Sequence, residues 1–155
     1  MKITQFFENT KLLKEIFDIT PLLYGSLGLE YITGESLNAD DIDILIPEIF
    51  LAERWTDFKK VLINNGYVLT DEKEHTFEKD NVHYSYASIE ELESFADIKQ
   101  SDIECKNADD VTFKLLSLKQ YLMVYTASSK DGYRINTRKK KDNEKIQFIK
   151  KHLYC

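Results

Sequence analysis

Apolar and polar residues alternate with two different periods along the chain, and each period predicts a different kind of element. From Ile3 to Ile19 the apolar residues recur at helical spacing, which predicts an amphipathic first helix. Short apolar runs at Leu22 to Tyr24 and at Asp41 to Ile46 have the length and composition of strands. Helical spacing returns after Pro47, a residue favoured at the start of a helix, and this second helix is expected to end at Asn65-Gly66.

The middle of the chain predicts three strands and then a short helix. Tyr67 to Thr70 begins a strand that ends at a charged turn. His75 to Glu78 and Val82 to Ser88 predict a hairpin joined at Lys79-Asp80-Asn81, because Asp and Asn favour tight turns. Ile89 to Ala96 is expected to be helical.

The last third of the chain is predicted to be helical. Asn107 to Asp110 is a plausible helix start, since acidic residues favour the positive end of the helix dipole, and apolar positions from Val111 to Tyr125 continue it. A final helix is expected from about Lys140 to Leu153. The predicted class is therefore α+β, a small mixed sheet flanked by helices. We expect one domain over residues 1–155, with a core at about 1–100 and a helical extension at about 107–155.

Composition limits the classes of protein that this chain can represent. Its 155 residues are 43% apolar, as in globular proteins, and its formal net charge of −6 argues against general nucleic-acid binding. Cys105 and Cys155 form neither a disulfide framework nor a zinc spacing. No signal peptide is visible at Met1-Lys2-Ile3-Thr4, and no apolar run approaches the ~18 residues of a membrane span. We therefore expect a cytoplasmic protein without a membrane partner, and the composition does not predict its oligomeric state.

Two aspartates and a Gly-Ser pair carry the candidate chemistry. Asp41 and Asp43 stand at alternating positions of one strand, so both side chains are expected on the same face. Two ionised carboxylates on an apolar strand repel each other unless a cation lies between them, and Mg²⁺ or Mn²⁺ suits such oxygen ligands. Gly25 permits close approach of a phosphate to the backbone, and Ser26 adds a hydroxyl donor.

An apolar run ending in Gly25-Ser26, a spacer, and then Asp41-Ile42-Asp43-Ile44 resembles the nucleotidyltransferase superfamily. This superfamily has the polymerase-beta-like fold and includes small antibiotic nucleotidyltransferases and minimal nucleotidyltransferase domains. The resemblance implies that Gly25 and Ser26 bind the phosphates of a nucleoside triphosphate co-substrate. It also implies that Asp41 and Asp43 hold the metal and act in catalysis. The basic residues of the last helix, Lys140 and Lys141, are then expected near the phosphates, and the alternative is an ordinary solvated lysine face of that helix.

One part of the superfamily pattern is absent. Active members bring a third carboxylate from a later strand, but the matching strand here, Val82 to Ser88, contains no acidic residue. Glu78 on the neighbouring strand is the first candidate for this catalytic role, followed by Glu74 and Asp71. His83 is the alternative, as a weaker base or a nucleotide contact.

Three functional hypotheses remain open from the sequence. The first is an enzyme that transfers a nucleoside monophosphate to an unidentified hydroxyl on a small molecule or protein. The second is a catalytically degenerate nucleotide-binding module on the same fold. The third is a protein-interaction module of the toxin and antitoxin type. His75 is either a phosphate or substrate contact or a hydrogen-bonded structural histidine.

Overall fold

A seven-stranded mixed sheet forms the centre of the protein in the computed structural model. The structure describes residues 2–130 and 132–154, with the side chains of residues 2–130 and 141–154. In chain order the strands are β1 (Leu22–Tyr24), β2 (Asp41–Ile46), β3 (Val68–Asp71), β4 (Thr76–Lys79), β5 (Val82–Ser88), β6 (Glu104–Ala108) and β7 (Val111–Leu115). They are arranged β3-β4-β5-β2-β1-β7-β6. Strand β2 is parallel to β5 and β1 is parallel to β7, whereas the other neighbours are antiparallel.

Six α-helices accompany the sheet in the described part of the chain. They are α1 (Lys2–Phe17), α2 (Gly25–Thr33), α3 (Trp55–Asn64), α4 (Glu91–Ala96), α5 (Leu118–Lys130) and α6 (Gly132–Tyr154), with short 3-10 helices at Glu48–Leu51 and Gln100–Asp102. The predicted α+β class with a mixed sheet is therefore confirmed. Over residues 2–130 and 132–154, no helix combines the length and apolar character that crossing a membrane requires.

Strand β2 lies in the middle of the sheet because one of its faces is entirely apolar. Ile42, Ile44 and Ile46 are fully buried, and each contributes about 1.5–3 kcal/mol relative to an exposed side chain. Asp41 is exposed and Asp43 is half-buried on the opposite face. The sequence predicts this alternation. It places two carboxylates on the face of the sheet opposite the isoleucines.

Helices α1 and α3 cover the isoleucine face through aromatic contacts. Phe6 of α1 packs edge-on against Phe113 of β7, with ring centroids 5.3 Å apart. Phe58 of α3 packs edge-on against Tyr86 of β5 at 5.1 Å. Tyr86 is in register with Ile44 on the neighbouring strand, so these rings extend the same core layer.

A polar contact inside this layer joins α1 to the sheet. The side-chain amide of Asn9, which is fully buried, donates to the Tyr67 hydroxyl at 3.0 Å and to the Tyr86 hydroxyl at 2.7 Å. Because a buried polar group without a partner costs free energy, these hydrogen bonds specify how the helix sits on the sheet.

Helix α5 is held at the junction of β1 and α2. The buried Tyr121 hydroxyl donates to the backbone oxygen of Leu23 at 2.7 Å. Gly28 of α2 lies directly beneath this hydroxyl, and a Cβ at Gly28 would overlap it. The absence of a side chain at Gly28 therefore lets α5 approach the end of β1.

The helix predicted from Asn107 through Tyr125 is wrong in its first half. Residues 104–115 form the antiparallel hairpin β6-β7, and helix α5 begins only at Leu118. Asp109 and Asp110 make the turn of the hairpin, with Asp109 at a φ of 52°, instead of starting a helix. The physical reason is tertiary, because β7 pairs in parallel with β1 and satisfies backbone groups that β1 would otherwise leave unpaired.

The helix predicted after Pro47 is divided. A 3-10 helix at Glu48–Leu51 is followed by a break at Ala52, whose φ of −124° and ψ of −100° are not helical, and then by α3. The break lets both Phe50 and Phe58 pack against Phe17 of α1, at centroid distances of 5.3 and 5.6 Å. Packing against α1 therefore prevails over continuous helical hydrogen bonding.

The buried tyrosines predict that the protein loses stability in alkali. Burial raises the pKa of four phenols above the ordinary value of about 10, namely those of Tyr67, Tyr84, Tyr86 and Tyr121. The unfolded chain releases these protons first, so stability is full below about pH 10 and falls as the pH rises above it. Urea unfolding measured from about pH 8 to pH 11 should show this decrease.

Two phenylalanine variants separate this effect from general alkaline denaturation. Tyr86→Phe removes one buried phenol and should give a shallower loss of unfolding free energy with pH. Tyr31→Phe changes an exposed tyrosine and should leave the slope of the wild-type protein unchanged. Equal slopes for both variants would show that the buried phenols do not govern the alkaline transition.

Candidate active site

A cleft of about 570 Å³ opens on the carboxylate face of the sheet. Strands β2 and β5 form its floor, where Asp43 and Ser85 are neighbours in register. Its walls come from the β3-β4 turn, the segment after β2, α4 and α5, and they include Lys73, Glu74, His75, Glu48, Glu91, Phe95, Tyr125 and Ser128. The cleft therefore joins residues that are widely separated in sequence.

Strand register shows which side chains share the floor with the aspartates. Tyr24, Asp43, Ser85 and Thr76 follow one another across β1, β2, β5 and β4. The hydroxyls of Thr76 and Ser85 lie 3.1 Å apart, which places these two side chains on one face. Asp41 belongs to the next row. The expected pairing of Asp41 and Asp43 on one face is thus matched by the strand geometry.

Gly25 lies directly against the Asp43 carboxylate. A Cβ at Gly25 would come within 2.5 Å of Asp43 Oδ2, and the φ of Gly25 is +67°. Both facts require glycine, because a side chain would collide with the carboxylate and would strain the backbone. Gly25 and the half-buried Ser26 also open helix α2. The positive end of the helix dipole therefore lies beside the carboxylate.

The loop between α2 and β2 is organised by one side chain. Glu30 Oε2 accepts hydrogen bonds from the backbone N–H of Leu37 at 2.6 Å and of Ala39 at 3.0 Å. In the same loop, Glu35 Oε1 lies 3.3 Å from His152 Nε2 of α6. Since β2 follows immediately, these contacts orient the strand that carries Asp41.

The position expected to supply a third carboxylate is occupied by Ser85 and His83. Ser85 is in register with Asp43, and His83 with Asp41. Glu78, the first candidate, lies on β4 and is in register with His83 of β5. Strand β5 therefore separates Glu78 from β2, and Glu78 does not line the cleft. Glu74 does line the cleft, whereas Asp71 Oδ1 accepts from the Glu74 backbone N–H at 3.1 Å and caps the turn.

Helix α6 packs against α5, which forms a wall of the cleft. The side chain of Lys140 lies outside the described residues, and Lys141 is exposed and does not line the cleft. The next residue, Asp142, is buried and accepts a hydrogen bond from Ser128 at 2.7 Å, and Ser128 does line the cleft.

Sequence reasoning missed the contribution of α5 to the site. Tyr125 and Ser128 stand three residues apart on one side of α5, and Lys145 Nζ lies 5.9 Å from the centroid of the Tyr125 ring. The spacing of Tyr125 and Ser128 was visible in the sequence. Which side of the helix faces the carboxylates is decided by the packing of α5, so the sequence carried no signal for it.

The carboxylates present suit a metal that arrives with a phosphate ligand. Among the described side chains, those of residues 2–130 and 141–154, no group of three or more His, Cys, Asp or Glu could hold a metal ion. Mg²⁺ is commonly bound by only one or two protein carboxylates, with substrate phosphates and water completing an octahedron. Asp43 lies against Gly25 at the start of α2, and Asp41 is an exposed neighbour on the same face of β2 that does not line the cleft. Two such carboxylates fit that arrangement and do not form a self-sufficient metal site.

The chain has a relative of known sequence that matches nearly its whole length. No protein-family model matches the chain. It is 41% identical over 147 residues to YnaI of Bacillus subtilis (strain 168), a protein described as uncharacterized, and the match covers 95% of this chain and 94% of YnaI.

Two solved structures of ANT(2'')-Ia have a similar fold. The crystal structure in complex with adenylyl-2''-tobramycin has a TM-score of 0.56 at 11% identity, covering 99% of this chain and 90% of that chain. The solution structure of this antibiotic-resistance factor has a TM-score of 0.55 at 15% identity, covering 99% and 92%. At such low identity the similarity shows the fold, and the nucleotidyltransferase-like fold expected from the sequence motif is confirmed.

The contact between Gly25 and Asp43 predicts an unusually costly glycine. Gly25→Ala should lower the free energy of unfolding by about 1–3 kcal/mol, because it adds an overpacked contact to a strained backbone conformation. Gly34→Ala is the matched control, since Gly34 has a φ of +74° but open space around its Cβ position. The difference between the unfolding free energies of the two variants, measured in urea, gives the cost of the contact with Asp43. Equal losses of unfolding free energy would show that this contact adds no cost at Gly25.

Proposed function

We propose that this chain, which belongs to the family of the Bacillus subtilis protein YnaI, binds a nucleoside triphosphate together with Mg²⁺ or Mn²⁺ and transfers its nucleoside monophosphate to a hydroxyl acceptor. One observation carries the proposal: the Gly25 backbone at the start of α2 lies against the Asp43 carboxylate on the floor of a cleft. Backbone N–H groups that could bind a phosphate and a carboxylate that could bind a metal therefore lie side by side, in a nucleotidyltransferase-like fold.

The residues of the floor have separate roles in this proposal. The backbone N–H groups at the start of α2 and the Ser26 hydroxyl hold phosphate oxygens. Asp41 and Asp43 would hold the metal, which neutralises triphosphate charge when it is bound. Because the protein supplies positioning and charge, transfer requires the acceptor hydroxyl to lie in line with the bond to the leaving pyrophosphate. In this proposal Lys141 contributes only long-range positive charge, since it is exposed and away from the cleft.

The walls of the cleft support a class of acceptor. Glu48, Glu74 and Glu91 line these walls together with Lys73, so carboxylates outnumber amines there. An acceptor with positively charged groups beside its hydroxyl would gain from this field. Tobramycin, the molecule adenylylated in the ANT(2'')-Ia complex, is the first acceptor to assay.

A second candidate function rests on Ser85. Ser85 supplies a hydroxyl beside Asp43 where the superfamily resemblance implies a third carboxylate, so that carboxylate base for the acceptor hydroxyl is missing from this position. A nucleotide-binding module without turnover would have this composition. Both candidate functions predict nucleotide binding, but only the transferase predicts release of pyrophosphate.

Calorimetric titration with ATP, GTP, CTP and UTP tests the binding step common to both candidates. We expect heat from at least one nucleotide in the presence of Mg²⁺ and little from Mg²⁺ alone, since two carboxylates do not complete a metal site. Asp43→Asn should weaken nucleotide binding at least tenfold. Asp40→Asn is the control, because it makes the same charge change at an exposed residue just before β2. Absence of heat from every nucleotide, in folded protein, would exclude both candidates.

Restoring the missing carboxylate tests whether the site is an enzyme. Ser85→Asp places an acid in register with Asp43, at about 5 Å between neighbouring strands, and should raise affinity for Mn²⁺ at least tenfold. Ala87→Asp is the control, because its partner in register is Leu45 and not an aspartate. An active site should release more pyrophosphate when Ser85 becomes Asp. Unchanged release with tighter Mn²⁺ binding would favour the module without turnover.

A further inference from the structure

We propose that a second cavity, formed between α1, α2 and the loop after α2, binds a small organic cation with an aromatic body, and that this ligand strengthens nucleotide binding. The cavity has a volume of about 720 Å³, compared with about 570 Å³ for the cleft. Both volumes are typical of small-molecule sites, which span roughly 300–1,000 Å³. Of the residues that the structure describes, none lines both the cavity and the cleft. The cavity's ligand is therefore independent of the proposed function, and only the effect on nucleotide binding rests on it.

Helical spacing directs apolar side chains from two helices into the cavity. Ile3 and Phe7 line it from α1 and stand four residues apart, so they share one face of that helix. Leu27 and Tyr31 do the same on α2. The rings of Phe7 and Tyr31 meet with centroids 6.5 Å apart, and Tyr31 also packs against Phe113 at 5.5 Å. Because Tyr31 remains 37% exposed, this aromatic surface is preformed and accessible to a ligand.

Two carboxylates stand where the loop closes the cavity. Glu30 Oε2 accepts hydrogen bonds from the backbone N–H of Leu37 and of Ala39. Glu30 and Ala39 both line the cavity, so this carboxylate is fixed at its wall. Glu35 also lines the cavity, and its Oε1 lies 3.3 Å from His152 Nε2. The loop side of the cavity is therefore acidic.

This combination of groups favours a cation that is joined to an aromatic ring. Lys2 is the one basic side chain among the described residues that line the cavity, so carboxylates outnumber amines there. A cation gains from a carboxylate and also from an aromatic face within about 6 Å. The ring of the ligand gains from the removal of Phe7, Leu27 and Tyr31 from water. An anion of the same shape would be repelled by the two glutamates.

The loop connects the cavity to the aspartates of β2. Ala39 lies two residues before Asp41, where β2 begins. A ligand in the cavity contacts both α2 and the loop, so it binds best when Glu30 holds the loop against α2. A ligand shifts an equilibrium towards the arrangement that it binds better, and Asp41 should then be held more firmly. In the proposed function, tighter binding of the metal and nucleotide follows.

An NMR titration with tryptamine tests the site, since this probe joins an indole ring to an ethylammonium group. We expect saturable shifts of the amide signals of Gly34, Ser36 and Ala39 at millimolar concentration, which is usual for so small a ligand. Indole-3-acetate keeps the ring and reverses the charge, and propylamine keeps the charge without the ring. Both should bind at least tenfold more weakly. Equal binding of indole-3-acetate would overturn the ligand class, and shifts confined to Ser85 and Ala87 of the cleft would overturn the assignment to the cavity.

Two pairs of variants test the aromatic ring and the carboxylate separately. Tyr31→Leu removes the ring and should weaken tryptamine binding at least tenfold, whereas Tyr31→Phe keeps the ring and should stay within about twofold. Glu35→Gln should weaken binding about threefold to tenfold, as expected for an exposed charge. Glu8→Gln makes the same change at an exposed position of α1 outside the cavity and should have no effect. Equal affinities of the two Tyr31 variants, both folded by their NMR spectra, would show that the ring does not contact the ligand.

Calorimetry tests the effect on nucleotide binding. Saturating tryptamine should raise the affinity for ATP with Mg²⁺ at least threefold, and saturating ATP with Mg²⁺ should raise the affinity for tryptamine by the same factor, because coupling between two sites is reciprocal. Propylamine at the same concentration is the control for ionic strength and for binding of amines to the acidic walls of the cleft. It should leave the nucleotide affinity unchanged.

The failure of the cavity and the failure of the proposed function give different results. If tryptamine does not shift Gly34, Ser36 and Ala39, the cavity does not bind this class of ligand, whatever the nucleotide does. If tryptamine binds there and nucleotide affinity does not change, the coupling is wrong. If tryptamine binds there and no nucleotide binds at all, the proposed function and the coupling both fail, and the cavity remains a ligand site.

Discussion

The close approach of the Gly25 backbone to the Asp43 carboxylate is the constraint around which the rest of the structure is arranged. It arises because β1 and β2 pair antiparallel with Tyr24 opposite Asp43, so that the chain leaves β1 and begins α2 beside the carboxylate. A helix N-terminus and an anionic side chain then lie side by side, which is electrostatically favourable. Only glycine accommodates both the distance and the backbone angle at residue 25.

The remaining chemistry of the cleft follows from what lies next to β2. Strand β5 is parallel to β2 and contributes a hydroxyl beside Asp43 instead of a carboxylate. The ionisable groups that surround a substrate therefore come from the walls, through the β3-β4 turn with Glu74 and through Glu48 and Glu91. The cleft thus carries the Asp43 carboxylate on its floor and the carboxylates of Glu48, Glu74 and Glu91 on its walls.

The fold could be predicted well where local pattern and tertiary environment agree. Strand β2 was predicted at Asp41 to Ile46, and the β4-β5 hairpin was predicted with its turn at Asp80-Asn81, where both residues have positive φ as such turns require. Prediction failed at residues 107–117, where Asp109-Asp110 resembles a helix start but forms a hairpin turn. A partner strand for β1 outweighs a local preference of a few tenths of a kcal/mol per residue.

The sequence by itself determined the chemical inventory at the site, because Gly25-Ser26 and Asp41-x-Asp43 are encoded within two short segments whose geometry depends on strand alternation and turn chemistry. It also determined that β5 carries no carboxylate. Only the tertiary structure decided that Glu78 lies two strands from β2, that His75 lines the cleft, and that α5 closes one wall. The reason is that strand order and helix packing join residues distant in sequence, and local periodicity carries no information about such neighbours.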